Sequence, residues 1–138
     1  MDNELLQSLI EVVKTDKERK NTYKDFDKML MVLTEDEVAY FLMNCDEDVF
    51  KNHNLCHILI RSIPKTFGQF IDYYTNYNMD MIHVMKKYMD KELRKGEIGK
   101  KDYKKNLKKY KAEKKDIKKF REKYFNEIDK VLKNNVSL

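Results

Sequence analysis

A helical pattern of about 35 residues, running from Lys100 to Asn134, constrains the fold more than any other feature of the chain. Apolar residues recur along it in alternating steps of three and four, the spacing that places side chains on one face of an α-helix. Such a helix is roughly 50 Å long, whereas a compact domain of this size has a radius of gyration of only about 14 Å. The helix must therefore protrude, pack along another long helix or pair with a second chain.

We call the apolar residues of this pattern the seam. Lys114 and Arg121 occupy two of its positions, which predicts a short hydrophobic seam and not a full zipper-like coiled coil. Because an apolar stripe needs a cover, we expect the seam to join a second copy of the chain or a protein partner, and the protein to be a homo-oligomer. The predicted seam consists of Tyr103, Leu107, Tyr110, Ile117, Tyr124, Ile128 and Val131.

The rest of the chain is also predicted to be helical, because turn-forming residues are scarce. Only 3 glycines and 1 proline occur in 138 residues, whereas all-β folds need turn residues about every 8–12 positions. The sequence therefore predicts an all-α fold. It is expected to be a compact bundle of short amphipathic helices, followed by a helical hairpin with a long basic carboxy-terminal helix.

Local signals place several helix ends. Thr22 is predicted to cap one helix, and Thr34 to cap the next, where Glu37 completes a capping box. The polar segment Asn76–Asn78 is expected to break a helix, so that a new helix begins after a cap at Asp80.

Gly96 fits the left-handed residue that commonly follows a helix end, which predicts the turn of the hairpin. We therefore expect an acidic helical body over residues 1–78 and the hairpin over residues 79–138. The segment Lys91–Tyr110 resembles the helical hairpin of short carboxy-terminal oligomerisation motifs, although Gly99 stands where that family usually has Ser or Thr. The resemblance implies a hairpin, and it rests on Leu93, Gly96, Ile98, Tyr103 and Leu107.

Charge is segregated along the chain. Residues 1–85 hold 15 acidic and 9 basic side chains, whereas residues 86–123 hold 18 basic and 7 acidic ones. The overall net charge of +5 thus hides an acidic body that carries a basic arm. Such a distribution bears on partners and solubility, not on fold.

Lysines of the arm recur in pairs four residues apart, and residues four apart share a helix face. We call this set the lysine ladder. It could lie along a phosphate backbone and bind nucleic acid, DNA or RNA, without reading sequence. The alternatives are a solvated helix face, or an arm that docks on a protein partner or on the acidic body of a neighbouring chain. The predicted nucleic-acid-binding residues are Lys100, Lys101, Lys104, Lys105, Lys108, Lys109, Lys111, Lys115, Lys118 and Lys119.

A helix-turn-helix over Glu35–Asn54 is a minor alternative. Ala39 falls at the small position of its first helix. However, Met43 stands where the turn usually has glycine, and Glu47 and Asp48 make the second helix acidic, which is unfavourable in a DNA groove.

Four side chains of the kinds that bind zinc fall close together: Cys45, His53, Cys56 and His57. They lack a C-x-x-C pair, and Cys56 lies in the most apolar segment, where a thiol behaves as a small hydrophobe. We expect packed, reduced thiols and surface or half-buried histidines, and leave a zinc site as the alternative.

No pattern in the sequence predicts catalysis, a cofactor or a small-molecule substrate. The longest apolar run, Met29–Leu33, is far short of the roughly 20 residues that span a bilayer, so we expect no membrane partner. The acidic start of the chain and the two cysteines are typical of an intracellular protein, cytoplasmic or nuclear. Several methionines fall on or beside apolar stripes and are expected to fill the core, although a methionine-rich surface would also suit a partner groove: Met29, Met31, Met43, Met79, Met81, Met85 and Met89.

The sequence therefore predicts a non-enzymatic helical binding protein that associates with nucleic acid through the lysine ladder. The alternative is a protein-partner adaptor or inhibitor that uses the long helix as an oligomerisation or docking surface. The bias towards Lys, Asn and Tyr is typical of an AT-rich genome and suggests a virus or mobile element, in which case the protein would act in a host cell.

Overall fold

The computed structural model describes residues 3–136, and these contain α-helices and no strand. The predicted all-α fold and the long carboxy-terminal helix are confirmed. The helices are α1 (Glu4–Thr15), α2 (Phe26–Met31), α3 (Glu35–Asn44), α4 (Asp46–Lys51), α5 (His53–Ser62), α6 (Pro64–Arg94) and α7 (Lys100–Val136).

The described residues form two compact units. The first, which we call the body, comprises residues 3–70 and 127–136. The second, which we call the hairpin unit, comprises residues 71–126. The helices α6 and α7 contribute residues to both units.

The core of the body is assembled from the apolar faces of short helices. Helix α1 packs on α3 and α4, while α5 packs on α2 and α4. Aromatic rings extend this core, with Phe50 stacked on Phe70 at a centroid distance of 5.6 Å. The side chains that lose all contact with solvent are those of Leu6, Phe41, Leu42, Val49, Leu55, Leu59 and Phe67.

Side-chain caps set the starts of three of these helices. Thr34 and Glu37 form the predicted capping box at α3, in which the Thr34 hydroxyl accepts from the Glu37 N–H and the Glu37 carboxylate accepts from the Thr34 N–H. Asn3 caps α1 and Asn52 caps α5, each by accepting a backbone hydrogen bond. A cap of this kind typically contributes about 1 kcal/mol.

The predicted helix start at Thr22 is wrong. Helix α2 begins only at Phe26, because Tyr23 and Asp25 adopt left-handed backbone conformations with φ values of 54° and 62°. A hydrogen-bond network explains the position of Tyr23: its hydroxyl donates to Asp16 at 2.9 Å, and the Asn52 amide donates to the same hydroxyl at 3.1 Å.

Two further helix predictions differ in outcome. The break predicted at Asn76–Asn78 is wrong, because α6 runs without interruption from Pro64 to Arg94. The left-handed residue predicted at Gly96 is confirmed, with a φ of 73°. The turn Lys95–Gly99 therefore joins two long helices and not one short and one long helix.

Candidate nucleic-acid interface

The lysine ladder lies on one side of α7. All ten of its lysines are exposed. At about 100° per residue they fall within about half of the helix circumference, and at 1.5 Å per residue the ladder is roughly 28 Å long. Among the described residues, none forms a salt bridge with these ten lysines. The ladder is therefore a cationic strip whose charges the described residues do not neutralise through salt bridges.

Acidic side chains interrupt the strip at few points. Between Lys100 and Lys119 they are Asp102, Glu113 and Asp116. Glu113 and Asp116 line a groove between α6 and α7, so they sit at the margin of the ladder. Positive charge therefore dominates the exposed side of this segment.

The opposite side of α7 carries the seam, and the hairpin unit uses two of its tyrosines internally. The Tyr103 hydroxyl donates to Asp90 at 2.6 Å, and the Tyr110 hydroxyl lies 3.2 Å from Nδ1 of His83. These tyrosines are thus engaged with α6 and are not free platforms for stacked bases. Each of the other five seam residues is half-buried or buried. Their role in joining chains stays a prediction.

Electrostatics reinforce the contact at Asp90. Hydrogen bonds from Tyr103 and then from Lys86, whose ammonium lies 3.0 Å from the carboxylate, lower the pKa of Asp90. The hydrogen bond between Tyr103 and Asp90 raises the pKa of Tyr103, and the hydrogen bond between Lys86 and Asp90 raises the pKa of Lys86. The ionised Asp90 carboxylate thus accepts hydrogen bonds from a neutral donor, Tyr103, and from a cationic donor, Lys86, and both favour its charged form.

Arg121, which interrupts the seam in the sequence, has a partner on α6. Its guanidinium forms a salt bridge with Asp72 and donates a hydrogen bond to Thr75 at 3.3 Å. It also lies over the ring of Phe125, 4.6 Å from the centroid, a favourable cation–π distance. The polar seam position is therefore a specific contact of the hairpin unit.

These polar contacts define the register of the hairpin. From Asp90 to His83 to Asp72 the steps along α6 are 7 and 11 residues. The matching steps along α7, from Tyr103 through Tyr110 to Arg121, are the same. Seven residues make about two helical turns and eleven about three. The contacts therefore fall on one side of each antiparallel helix and orient α7 so that the ladder points away from α6.

An apolar groove of about 370 Å³ runs between the two helices of the hairpin unit. Ile82, Ile117 and Phe120 are among its lining residues, and Met81 lies at its edge on α6. A second groove of about 190 Å³ is lined by Ile82, Met85 and Tyr110 among others.

The methionines of this region correct one expectation. Met81 and Met85 were expected to fill the core, yet 47% and 59% of their surfaces are exposed. Met31 is 83% exposed. The sequence does not reveal that this apolar face of α6 is exposed, because a helical apolar stripe has the same residue pattern whether it is covered or not.

The cysteine and histidine cluster is divided by burial. Cys45 and Cys56 are free, buried thiols, while His53 and His57 are exposed. Burial raises the pKa of Cys45 to about 11, which disfavours the thiolate that zinc needs. Within residues 3–134, no group of three or more possible ligands could hold a metal ion.

The segment considered for a helix-turn-helix folds as α3, α4 and the start of α5. Three acidic residues and one basic residue lie on α4, and Glu47 is exposed, so this element presents more acid than base to solvent. No helix within the described part of the chain is long and apolar enough to cross a membrane.

Comparisons with protein-family models, with curated proteins and with solved structures found no match.

Proposed function

We propose that this protein is a non-enzymatic nucleic-acid-binding protein that holds a phosphate backbone along the lysine ladder of α7. The observation that carries the proposal is the arrangement of ten exposed lysines on one half of a single helix, without salt bridges to the described residues.

The dimensions of the ladder fit this role. A duplex carries one phosphate charge per roughly 1.7 Å of its axis, so a strip of roughly 28 Å faces many phosphates at once. Each neutralised phosphate releases counterions, and this release drives binding without regard to sequence. Lysine acts as a point charge and not as a planar base reader. The expected activity is therefore backbone binding to DNA or RNA with little base preference.

The test is a titration of the full chain into labelled duplex DNA, single-stranded DNA and RNA at about 50 and 200 mM salt. A ladder that neutralises six or more phosphates loses roughly a thousandfold in affinity over that range. The salt slope reports the number of phosphates that are contacted. An absence of binding at the lower salt would contradict the proposal.

A matched pair of variants locates the binding surface. The ladder variant changes Lys104, Lys105, Lys108 and Lys109 to Glu. Its control changes four exposed lysines of the body to Glu, which alters the net charge equally: Lys14, Lys17, Lys24 and Lys51. We expect the ladder variant to lose at least about tenfold in affinity and a large part of the salt slope. Equal losses in both variants would show that net charge alone, and not the ladder, is responsible.

The apolar groove of the hairpin unit supports a second candidate, a protein-partner adaptor or inhibitor. Ile117 of the seam lines this groove, so part of the seam borders open space. A partner docked in this groove would depend on Ile117, and its affinity would change little with salt. Pull-down with wild type and with Ile117→Ala, at both salt concentrations, separates this candidate from the first.

A further inference from the structure

An exposed apolar face runs along α6 within the hairpin unit. Its residues follow each other in steps of one, three and four, which places them on one side of the helix. Each is between 47% and 64% exposed. We call this face the α6 stripe, and it consists of Tyr73, Tyr77, Met81, Val84, Met85 and Tyr88.

The polar contacts of the hairpin do not use the α6 stripe, although Met81 and Met85 border the two grooves between α6 and α7. At about 100° per residue, the stripe lies roughly 150° around α6 from Asp72, His83 and Asp90, which contact α7. The rings of Tyr73 and Tyr77 instead stack on each other at a centroid distance of 6.4 Å. The stripe is thus an apolar surface about half of which stays exposed in this hairpin.

The exposed area of the stripe approaches that of one side of a standard dimer interface. An aromatic side chain offers roughly 200 Å², so six large side chains exposed by about half present on the order of 600–700 Å². A standard interface buries about 800 Å² on each partner. The stripe with its rim therefore supplies one complete side of such an interface.

The stripe is also complementary to itself. In a two-fold dimer the same patch meets its own copy. If a second α6 runs antiparallel, with the axis between Ile82 and His83, Tyr77 faces the second copy's Tyr88, and Met81 faces the second copy's Val84. Each contact then occurs twice, and large rings meet large rings while smaller aliphatic side chains meet at the centre.

Charge at the rim selects the antiparallel direction. Asp80 and Lys87 are exposed on the same edge of the stripe and form no salt bridge within the described residues. Antiparallel pairing brings Asp80 to within about two residues, roughly 3 Å, of the level of the second copy's Lys87. In a parallel pair the two-fold axis would run along the helices and place Asp80 and Lys87 of the two copies on opposite edges of the interface, where they could not pair.

We propose that the α6 stripe is the interface of a two-fold antiparallel homodimer, closed at its rim by Asp80 and Lys87 of opposite chains. The dimer does not require the lysine ladder, so it can be tested separately from nucleic-acid binding. The occupant of the stripe is a second copy of this chain.

The first experiment is the solution mass of the full chain by light scattering or sedimentation over a range of concentrations. We expect twice the chain mass of 16.8 kDa, and the chain mass itself for the double variant Met81→Glu with Val84→Glu. The matched control, Val12→Glu with Val32→Glu, adds the same charge at exposed valines of the body and should stay dimeric. A wild-type mass of one chain up to high micromolar concentration would overturn the proposal.

Two measurements test the direction of the pair. Mixed Tyr77→Cys and Tyr88→Cys chains should form a disulfide between the two variants, whereas Tyr77→Cys alone should form few dimers. The single change Asp80→Lys should weaken the dimer about tenfold, and Lys87→Asp in the same chain should restore it. Efficient cross-linking of Tyr77→Cys to itself would contradict the antiparallel arrangement.

A third outcome separates the dimer from a stacking surface for single strands. If the wild type is monomeric and the change Tyr77→Ala weakens binding to single-stranded nucleic acid, the stripe contacts bases, and the dimer is rejected. If the wild type is dimeric and Tyr77→Ala raises its dissociation constant, the interface is supported.

Discussion

Arg121 of α7 and Asp72 of α6 form a salt bridge inside the hairpin unit, at a position where the sequence alone shows only an interruption of the apolar seam. Both side chains are partly exposed, 42% for Arg121 and 47% for Asp72, so water screens the pair. The pair fixes the register of the two helices as much as it stabilises them, because sliding either helix by one residue would separate the charges.

The Arg121–Asp72 pair should show a modest coupling energy. Urea unfolding of wild type, Arg121→Gln, Asp72→Asn and the double variant forms a double-mutant cycle. We expect a coupling of about 0.5 kcal/mol, the scale of partly exposed pairs. The cycle of Lys118→Gln with Asp72→Asn is the control, since Lys118 lies on the ladder side of α7, and it should show no coupling. Equal coupling in both cycles would point to general charge effects.

The contact of Tyr103 with Asp90 should make the stability of the hairpin depend on pH in the acid range. The carboxylate is held below its ordinary pKa of 3.8 by Tyr103 and Lys86. A lowered pKa in the folded state adds stability above the unfolded value, and this stability is lost as the pH falls through the folded value. Tyr103→Phe should therefore destabilise the protein at pH 7, and the difference from wild type should shrink below about pH 4.

Carboxyl NMR titration of Asp90 checks this prediction directly. Its pKa should be higher in Tyr103→Phe than in wild type. An unchanged pKa would show that the Lys86 ammonium alone sets it.

Asn52 should be among the most sensitive polar residues of the body. It is 3% exposed, its carbonyl oxygen accepts from the Leu55 N–H to cap α5, and its amide donates to Tyr23 and Asp16. Asn52→Ala removes the cap, leaves the buried Leu55 N–H without its acceptor and takes one hydrogen bond each from the paired Tyr23 and Asp16 side chains, at a combined cost of about 2–3 kcal/mol. Denaturant unfolding measures the loss.

The control for Asn52 is Asn54→Ala, an exposed position in the first turn of α5. It should change the free energy of unfolding by less than about 0.5 kcal/mol. Comparable losses at both positions would contradict a special role for the buried network.

Cys45 should resist alkylation in the folded protein. It is 1% exposed, and burial raises its pKa to about 11. The reactive thiolate is therefore scarce at pH 8, and its fraction rises as the pH approaches the raised value. Iodoacetamide labelling read by mass spectrometry should modify Cys45 slowly in buffer and rapidly in urea. Rapid labelling in buffer at pH 8 would show that this part of the body opens readily.

Features governed by local chemistry were predictable from sequence. The Thr34–Glu37 capping box and the left-handed Gly96 depend on residues within one turn of each other, and both predictions are confirmed. The long helix was predictable as well, because its apolar periodicity extends over many turns. In each case the residues that decide the structure are neighbours in the sequence.

Features decided by distant partners were not predictable. The Asn76–Asn78 segment is a poor helix former, but an unfavourable residue costs only about 0.7 kcal/mol. Helix α6 continues there, with the Asn78 amide donating to the Tyr74 carbonyl and the Tyr74 ring lying 5.7 Å from that of Phe120 on α7. Packing against a second helix outweighs such a cost, and no local pattern reports it.

The predicted start of α2 was wrong for the same reason, because distant residues decide it. Thr22 is a good cap by type, yet the left-handed Tyr23 is held by Asp16 and Asn52, which lie 7 and 29 residues away in sequence. The surface features of the hairpin unit also differ in whether the sequence could predict them. The ladder could be predicted because it lies on one helix, whereas the exposure of the α6 stripe depends on which side of α6 meets α7.

The matched steps of 7 and 11 residues also limit how this hairpin can change in length during evolution. One inserted residue turns everything beyond it by about 100°, which would carry Arg121 away from Asp72 and rotate the lysines towards α6. The steps of 7 and 11 residues together make 18 residues, or about five full turns. Length variants that keep the charged side outward should therefore gain or lose 7, 11 or 18 residues in both arms at once, so that a deletion in one helix is accompanied by an equal deletion across the turn.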